Sequence, residues 1–435
     1  MSELKPFQVI VMVAFGLIAL VGLFLFANFK GFSNGTAPVG AVTIWGTLPE
    51  RPLQDAIVTL RNTHGELAKV TYYEKSIETF DAELSDAIAS GRGPDMIVIT
   101  QEQLITEQDK INLITSPATS ERTYRDTYVP EAELFLFGKG SSYGIPFVLD
   151  PLVLYYNRTH LTSVGAVHPP TTWEAVAGLS SALTRLDQAG GIAKSGVAFG
   201  TYDNIENARA IVSLLFLQAG YSISERTAEG VRSTLMRPKG TEYGTESAVS
   251  ALSYYLQFAN PTKTSYAWNR ALPSARQAFL AGDLSLYPGF ASEESIITAG
   301  NPNLDFDMAP IPQPGTNDTR TTYGRLYAFA IPKASKNATG AERTAAVLTS
   351  KDILPDIARV LGMAPAQRAL LVPASGDLFE PVYYPQALMS RGWLSPSPSG
   401  TDILFGTMIT SVTSGRQNSA SSITILDQAL NASFK

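Results

Sequence analysis

GKGSSYGIPFVLDPLVLYYNRTHLTSVGAVHPPTTWEAV, from residue 138 to residue 176, carries more structural information than any other stretch of this chain of 435 residues. Its opening glycines permit tight turns, and Pro146 favours an extended backbone just after them. The run LVLYY at 152–156 is continuously apolar, which is typical of a strand buried on both faces. The stretch therefore predicts a turn followed by two strands, the second of which ends in a polar loop.

A helix is predicted to follow this loop. Thr171 and Glu174 stand three residues apart at the start of an apolar-periodic segment, which is the spacing of a capping box. Trp173 would then lie in the first turn of the helix. We expect it to pack against the protein interior rather than to contact a ligand.

The chain before this stretch alternates between strand and helix patterns. Short β-branched or alternating runs predict strands at 41–47, 69–74 and 95–100. Apolar residues at helical spacing predict helices at 52–64 and 80–91. This order predicts parallel strands joined by right-handed crossovers, and hence an open α/β sheet. In such sheets a ligand lies beyond the carboxyl ends of the strands.

The order and spacing of these pieces resemble the family 1 extracellular solute-binding proteins, the group that contains maltose-binding protein. That family has a G-K-x-Y-G-I-P-like turn, an L-Y-Y-N-K/R strand end and a P-P-x-T-W-x-E-like helix start in the same order. Further segments resemble the family at four places: GRGPD at 91–95, FLAGDLSL at 279–286, IPKASKN at 331–337 and SGRQ at 414–417. The resemblance implies capture of a small solute outside the cell.

The resemblance also implies an architecture. It predicts an α/β periplasmic-binding-protein fold with two lobes, a hinge and a ligand cleft between the lobes. Lobe one would comprise residues 41–148 and 325–374, and lobe two residues 149–324 and 375–435. Proteins of this kind close their lobes around a ligand by a hinge motion.

The N-terminus contains 23 consecutive residues without charge, from Phe7 to Phe29. A helix of that length spans roughly 34 Å, which is enough to cross the core of a bilayer. We therefore predict a transmembrane anchor at residues 1–30, with a secretory signal as the alternative, and a flexible linker at 31–40. The soluble part would lie outside the cell or in the periplasm, tethered by this single span.

Composition excludes several classes of function. The net charge of −6, without a basic cluster, argues against a nucleic-acid partner. The chain has no cysteine and only three histidines, far apart in sequence, so we expect no metal site and no cofactor. No string typical of a serine hydrolase, a zinc protease or a P-loop occurs, so we do not expect an enzyme.

A sugar site needs aromatic faces together with polar side chains in a cleft. In open α/β sheets ligands lie beyond the carboxyl ends of the strands. This rule alone gives three candidates, which lie at or just after the ends of two predicted strands: Trp45, Glu102 and Gln103. The resemblance adds positions at which the family contacts its ligand or crosses between lobes: Asp150, Tyr202, Asp203, Phe290, Tyr323 and Arg325. Trp45 could equally well pack in the core. Asp203 could equally well cap the start of a helix.

The function predicted from the sequence is capture of a sugar or oligosaccharide by a monomeric protein that delivers it to an ABC permease. Two alternatives remain open at this point. A surface adhesin or a sensor ectodomain could use the same fold without transport, and a carbohydrate-active enzyme could use a pair of carboxylates.

Overall fold

The computed structural model describes residues 39–115, 120–138, 140–236, 246–315 and 320–434. The predicted membrane segment and most of the predicted linker lie outside these residues, as does Lys139 in the 138–176 stretch. Within the described residues, none of the helices combines the length and apolarity needed to cross a bilayer.

Sixteen strands are found in the described residues: β1 Val42–Gly46, β2 Val70–Glu74, β3 Met96–Thr100, β4 Ile114–Thr115, β5 Leu136–Phe137, β6 Ser141–Ser142, β7 Ile145–Asn157, β8 Arg185–Leu186, β9 Ile192–Val197, β10 Ser224–Thr227, β11 Gly230–Ser233, β12 Leu284–Phe290, β13 Phe306–Pro310, β14 Thr322–Ala330, β15 Ala364–Pro365 and β16 Ser390–Arg391.

The described α-helices are α1 Glu50–Leu60, α2 Phe80–Ala89, α3 Leu104–Glu107, α4 Glu121–Thr127, α5 Arg158–Ser163, α6 Trp173–Leu183, α7 Ala208–Gln218, α8 Glu246–Leu256, α9 Ala275–Ala281, α10 Glu293–Gly300, α11 Ala338–Leu348, α12 Leu354–Leu361, α13 Glu380–Met389, α14 Pro398–Thr413 and α15 Ser419–Ser433.

The first three strands form the parallel arrangement that the sequence predicts. β1 pairs with β2 on one side and β3 on the other, with Ile44 opposite both Tyr72 and Met96. All five residues of β3 are buried, as its apolar run requires. β14 then pairs antiparallel with β3, so a strand from much later in the chain completes this part of the sheet.

A single long strand, β7, connects the two halves of the molecule. Its first half pairs with β14 and its second half with β12 and β13. The sequence predicts two strands here, whereas the structure has one continuous strand. Pro151 lies where the pairing passes from β14 to β12, so its missing N–H interrupts no regular ladder.

Helices cover both halves and give two α/β lobes. In the first lobe, apolar side chains from β1–β3 and from helices α1, α11 and α12 form one core, with Ile44, Leu53 and Ile357 among its buried members. A larger core around Phe216, Trp268 and other fully buried rings fills the second lobe and extends into the first, where it includes Phe80 and Ile97. Burial of such large apolar surfaces supplies most of the driving force for folding.

Three local predictions need correction. The cap of α6 is Thr172 rather than Thr171, because the Thr172 Oγ accepts the Ala175 N–H at 3.2 Å. Helix α7 begins at Ala208, so Asp203 does not cap it. Helix α13 was not predicted, because Pro385 lies inside it and disfavours a helix in any sequence-based reading.

Candidate ligand cleft

A cavity of about 240 Å³ lies between the lobes, beside the strands that cross from one lobe to the other. The crossing strands supply Asp150, Arg325 and Tyr327 to its wall. The first lobe supplies apolar residues, and the second supplies mainly polar ones: Pro49, Pro52, Val360, Leu361 and Met363, against Asn207, Arg276, Phe290, Ser292, Glu293, Ser295 and Ile296.

Asp150 is a buried carboxylate with spare acceptor capacity. It stands on β7 and is 2% exposed. One of its oxygens accepts the Ser292 N–H at 3.0 Å and the other accepts the Ser292 hydroxyl at 2.6 Å. A carboxylate can accept about four hydrogen bonds, so roughly two positions remain for a ligand. Burial raises the pKa of Asp150 to about 7, against the opposing effect of the Ser292 bonds.

Arg325 faces Asp150 across the pairing of β14 with β7. Its guanidinium lies over the ring of Phe290, with the central carbon 4.5 Å from the ring centroid. Burial works against the charge of Arg325, but Glu102 outweighs it and the pKa of Arg325 lies above its usual value. A positive charge and an aromatic edge therefore stand next to the Asp150 carboxylate.

Glu293 forms the floor of the cavity, and its acceptors are already used. One oxygen accepts the Phe290 N–H at 2.9 Å and the Asn207 amide at 2.7 Å. The other accepts the Tyr287 hydroxyl at 2.5 Å and Arg276 Nε at 2.9 Å. Four donors saturate this carboxylate, so its function is to fix its neighbours in place.

A second polar cluster lies behind the cavity wall. Glu102, at the end of β3, accepts hydrogen bonds from the Tyr323 hydroxyl and from Arg209 Nη2, and Arg325 Nε lies 3.9 Å from it. Burial opposes ionisation of Glu102, but Arg209 and Arg325 outweigh burial and lower its pKa. Because Arg209 belongs to the second lobe and Glu102 to the first, this ion pair spans the two.

A larger hollow of about 670 Å³ lies on the surface of the second lobe, beside Trp173 and Tyr254. Its rim includes Glu246 and Pro314, which adjoin or lie close to residues outside the described part of the chain. It has no converging set of charged groups comparable to Asp150, Arg325 and Glu293 among its described lining residues. The cavity between the lobes is therefore the better candidate site.

Comparison with known proteins shows the family of this chain. The sequence profile of bacterial extracellular solute-binding proteins matches residues 68–353, which is well over half of the chain. The chain belongs to the family of bacterial extracellular solute-binding proteins. This membership confirms the resemblance stated from the motifs and the prediction of a binding protein rather than an enzyme. A comparison with curated protein sequences found no match.

Solved structures of this solute-binding fold align over nearly the whole described chain. The cyclic α-maltosyl-1,6-maltose binding protein from Arthrobacter globiformis has a TM-score of 0.71 at 18% identity and covers 92% of this chain and 100% of its own. A cyclo/maltodextrin-binding protein complexed with maltotetraose has a TM-score of 0.69 at 16% identity, covering 92% and 98%. An ABC transporter solute-binding protein from Thermotoga lettingae bound with α-D-tagatose has a TM-score of 0.65 at 17% identity, covering 91% and 100%. These similarities confirm the two-lobe periplasmic-binding-protein fold.

The structure brings five of the nine predicted site residues of this solute-binding protein together. Asp150, Phe290 and Arg325 line the cavity, and Glu102 and Tyr323 form the layer behind them. The ligand role of all nine predicted residues stays a prediction.

The other four predicted residues lie away from the cavity lining. Trp45 packs beside Lys75, whose Nζ is 4.2 Å from the ring centroid. Gln103 is buried and accepts the Thr100 N–H at 3.1 Å. The Tyr202 hydroxyl donates to Asp402 at 2.6 Å, and Asp203 is exposed.

Sequence reasoning missed Asn207, Arg209, Arg276 and Glu293. Glu293 carried no usable signal, because it accepts the Phe290 N–H at 2.9 Å although phenylalanine is not a capping-box residue and the N-cap position of the helix is Ser292. Asn207, Arg209 and Arg276 contact partners that are distant in the sequence. The pattern of residues along one segment does not predict such contacts.

Proposed function

We propose that this solute-binding protein captures a sugar in the cavity between its lobes and delivers it to an ABC importer. The observation that carries the proposal is the convergence of Asp150, Arg325 and Phe290 on one interlobe cavity. These side chains supply an acceptor, a donor and an apolar ring edge, which together suit a polyhydroxylated ring. The structural neighbours named for maltodextrins and for α-D-tagatose support the same ligand class.

The proposal is tested by a thermal-shift screen of the full chain against sugars, oligosaccharides, peptides and polyamines. A sugar present at 100 times its Kd should add about 2.7 kcal/mol to the free energy of unfolding, which corresponds to a shift of a few degrees. Stabilisation by peptides or polyamines alone would contradict the proposed ligand class.

A matched pair of variants tests the position of the site. Asp150→Asn should weaken binding of the stabilising sugar roughly 10- to 100-fold, because bonds to a charged acceptor contribute about 1.5–3 kcal/mol each. Asp305→Asn is the control, because Asp305 is half exposed and pairs with Arg158 on the surface. Equal affinities for both variants, measured by titration calorimetry, would remove Asp150 from the site.

We also propose that residues 1–30 anchor the protein in the membrane and that 31–40 link the anchor to the lobes. The uncharged run of 23 residues supports an anchor. Fractionation of cells that produce the chain should recover it with the membrane. Release of a shortened soluble form would favour a cleaved signal.

The lobe boundaries are part of the same proposal: residues 41–148 and 325–374 against residues 149–324 and 375–435. The change of pairing partner along β7 at Pro151 and the crossing of β14 near Gly324 support them. Binding of the sugar should reduce the radius of gyration in small-angle scattering if the lobes close as two bodies. An unchanged radius would contradict the hinge.

A further inference from the structure

We infer that the cavity admits a single sugar ring, and that the ion pair between Glu102 and Arg209 sets this limit. The inference rests on the proposed function, since it specifies the size of the sugar that the same cavity takes. It differs from what the structural neighbours as a group would suggest, because several of them are named for longer saccharides.

The volume of the cavity is close to that of one sugar ring. The cavity measures about 240 Å³. A cavity of about 150 Å³ holds benzene, which corresponds to roughly 25 Å³ for each non-hydrogen atom. By that measure this cavity holds roughly ten such atoms, close to the dozen or so of one hexose and about half of those of a disaccharide.

The side of the cavity at Phe290 is closed by buried side chains. The ring of Phe290 lies edge-on to Tyr323, with centroids 6.4 Å apart, and Arg325 covers Phe290. Behind them, Glu102 holds both Tyr323 and Arg325 through its carboxylate. A sugar chain that extended past Phe290 on this side would have to displace that buried cluster.

Arg209 fixes the wall from the opposite lobe. Its side chain is 15% exposed and that of Glu102 is 6% exposed, so water screens their attraction only weakly. Arg209 Nη1 also donates to the Pro398 carbonyl at 2.8 Å, which joins α7, α14 and the end of β3. Protein groups thus occupy the interlobe space in which a longer ligand would continue. Arg209 is a positioning residue, because it acts through Glu102 and Arg325.

The experiment is calorimetry on the full chain with three series of one, two and three rings: glucose, maltose and maltotriose; galactose, galactobiose and galactotriose; xylose, xylobiose and xylotriose. In the series that binds, we expect the monosaccharide to bind at least tenfold more tightly than the trisaccharide. A trisaccharide that binds as tightly or more tightly would overturn the inference and leave the proposed function standing. Failure of all three series would count against both.

Variants at the wall test the role of Arg209. Arg209→Ala should raise the ratio of trisaccharide to monosaccharide affinity at least tenfold, and Glu102→Gln should act in the same direction if the first variant does not fold. Arg209→Lys, which keeps the charge opposite Glu102, should stay near the unaltered ratio. Arg158→Ala, which removes a half-exposed surface ion pair, is the control and should change neither affinity. Equal loss for all ring numbers in Arg209→Ala would show a merely structural role and overturn the assignment.

Discussion

Asp150 and Glu293 are both buried carboxylates on the cavity, but their surroundings differ. Glu293 accepts four donors from the backbone, an amide, a phenol and a guanidinium. Within the part of the chain that the structure describes, Asp150 accepts only the two that Ser292 provides. A saturated carboxylate can only hold the wall, whereas an unsaturated one can exchange solvent for the hydroxyls of a ligand. The number of donors already bound therefore separates a structural acid from a binding acid within one cavity.

The largest loss of stability among the variants that test this comparison is expected from Glu293→Gln. The change removes the charge opposite Arg276 and turns an amide N–H toward groups that are themselves donors. We expect a loss of about 3 kcal/mol in the free energy of unfolding. This value is at the lower end of the range for removing one partner of a buried ion pair, because Arg276 is partly exposed. Urea denaturation measures it.

Asp150→Asn is the matched partner of this variant. Asparagine can still accept the Ser292 N–H and can donate to its hydroxyl, so the expected loss is below about 1 kcal/mol. An equal or larger loss in Asp150→Asn than in Glu293→Gln would break the comparison.

Glu131 is a third buried carboxylate, and its protonation should make the stability of the folded protein depend on pH. One of its oxygens accepts the Ser390 hydroxyl, and the other has no hydrogen-bond partner among the described residues. Burial raises the pKa of Glu131 to about 8, against the opposing bond from Ser390. Between about pH 4 and pH 8 the folded protein therefore holds a proton that the unfolded chain has lost, so stability falls as pH rises.

Glu131→Gln mimics the protonated form and should remove this pH dependence. The variant and the unaltered protein should be equally stable near pH 4, whereas at pH 9 the variant should be more stable by about 5 kcal/mol, since each unit of pKa between about 4.3 and about 8 contributes about 1.4 kcal/mol. Thermal and urea unfolding at both pH values measure the difference. A constant gap across this range would show that Glu131 does not titrate as described.

The affinity for sugar should itself depend on pH through Asp150. Hydroxyl donors of a bound sugar favour the carboxylate, so binding should lower its pKa from about 7. Affinity should then be full above pH 8 and fall roughly tenfold by pH 6, as protons compete with the ligand. Calorimetric titration at each pH tests this, and Asp150→Asn should give a flat profile. A pH-dependent profile in that variant would assign the titration to another group.

The smallest effect is expected from Tyr202→Phe. The Tyr202 hydroxyl donates to Asp402 near the surface, away from the cavity lining. Loss of this bond should cost about 0.5–1 kcal/mol of stability and change the sugar affinity less than about twofold. A larger change in affinity would extend the site toward α14 and revive the prediction that Tyr202 contacts the ligand.

The strands of the sheet were predictable because their patterns are local. β1, β2 and β3 agree with the predicted runs within one residue at each end. Trp45 shows where such patterns fail. It alternates with the buried Ile44 and Gly46 along β1, and its partner Lys75 comes from the loop after a different strand. A strand pattern separates two faces but does not say which of them meets the cavity.

The candidate site residues also divide into those that local sequence motifs predict and those that only the assembled fold brings together. Asp150, Phe290 and Arg325 were predicted from the family resemblance, whose motifs follow one another along the chain, and Asp150 and Arg325 stand on the strands β7 and β14 that pass between the lobes. Arg209 and Asn207 were missed because their contacts join residues more than 80 positions apart in the sequence. Only the assembled sheet and helices bring those groups to the same place.

The position of β14 between β3 and β7 has a consequence for how the protein is made. The first lobe cannot complete its sheet until residues 322–330 exist, although β1–β3 end at residue 100. Pairing across more than 200 residues makes closure of the first lobe a late step, because non-local strand contacts form slowly. The amino-terminal third of the chain therefore stays open during most of its synthesis. Until β14 is made, the buried apolar residues of β3 lack one of the two strands that pair with them in the finished sheet.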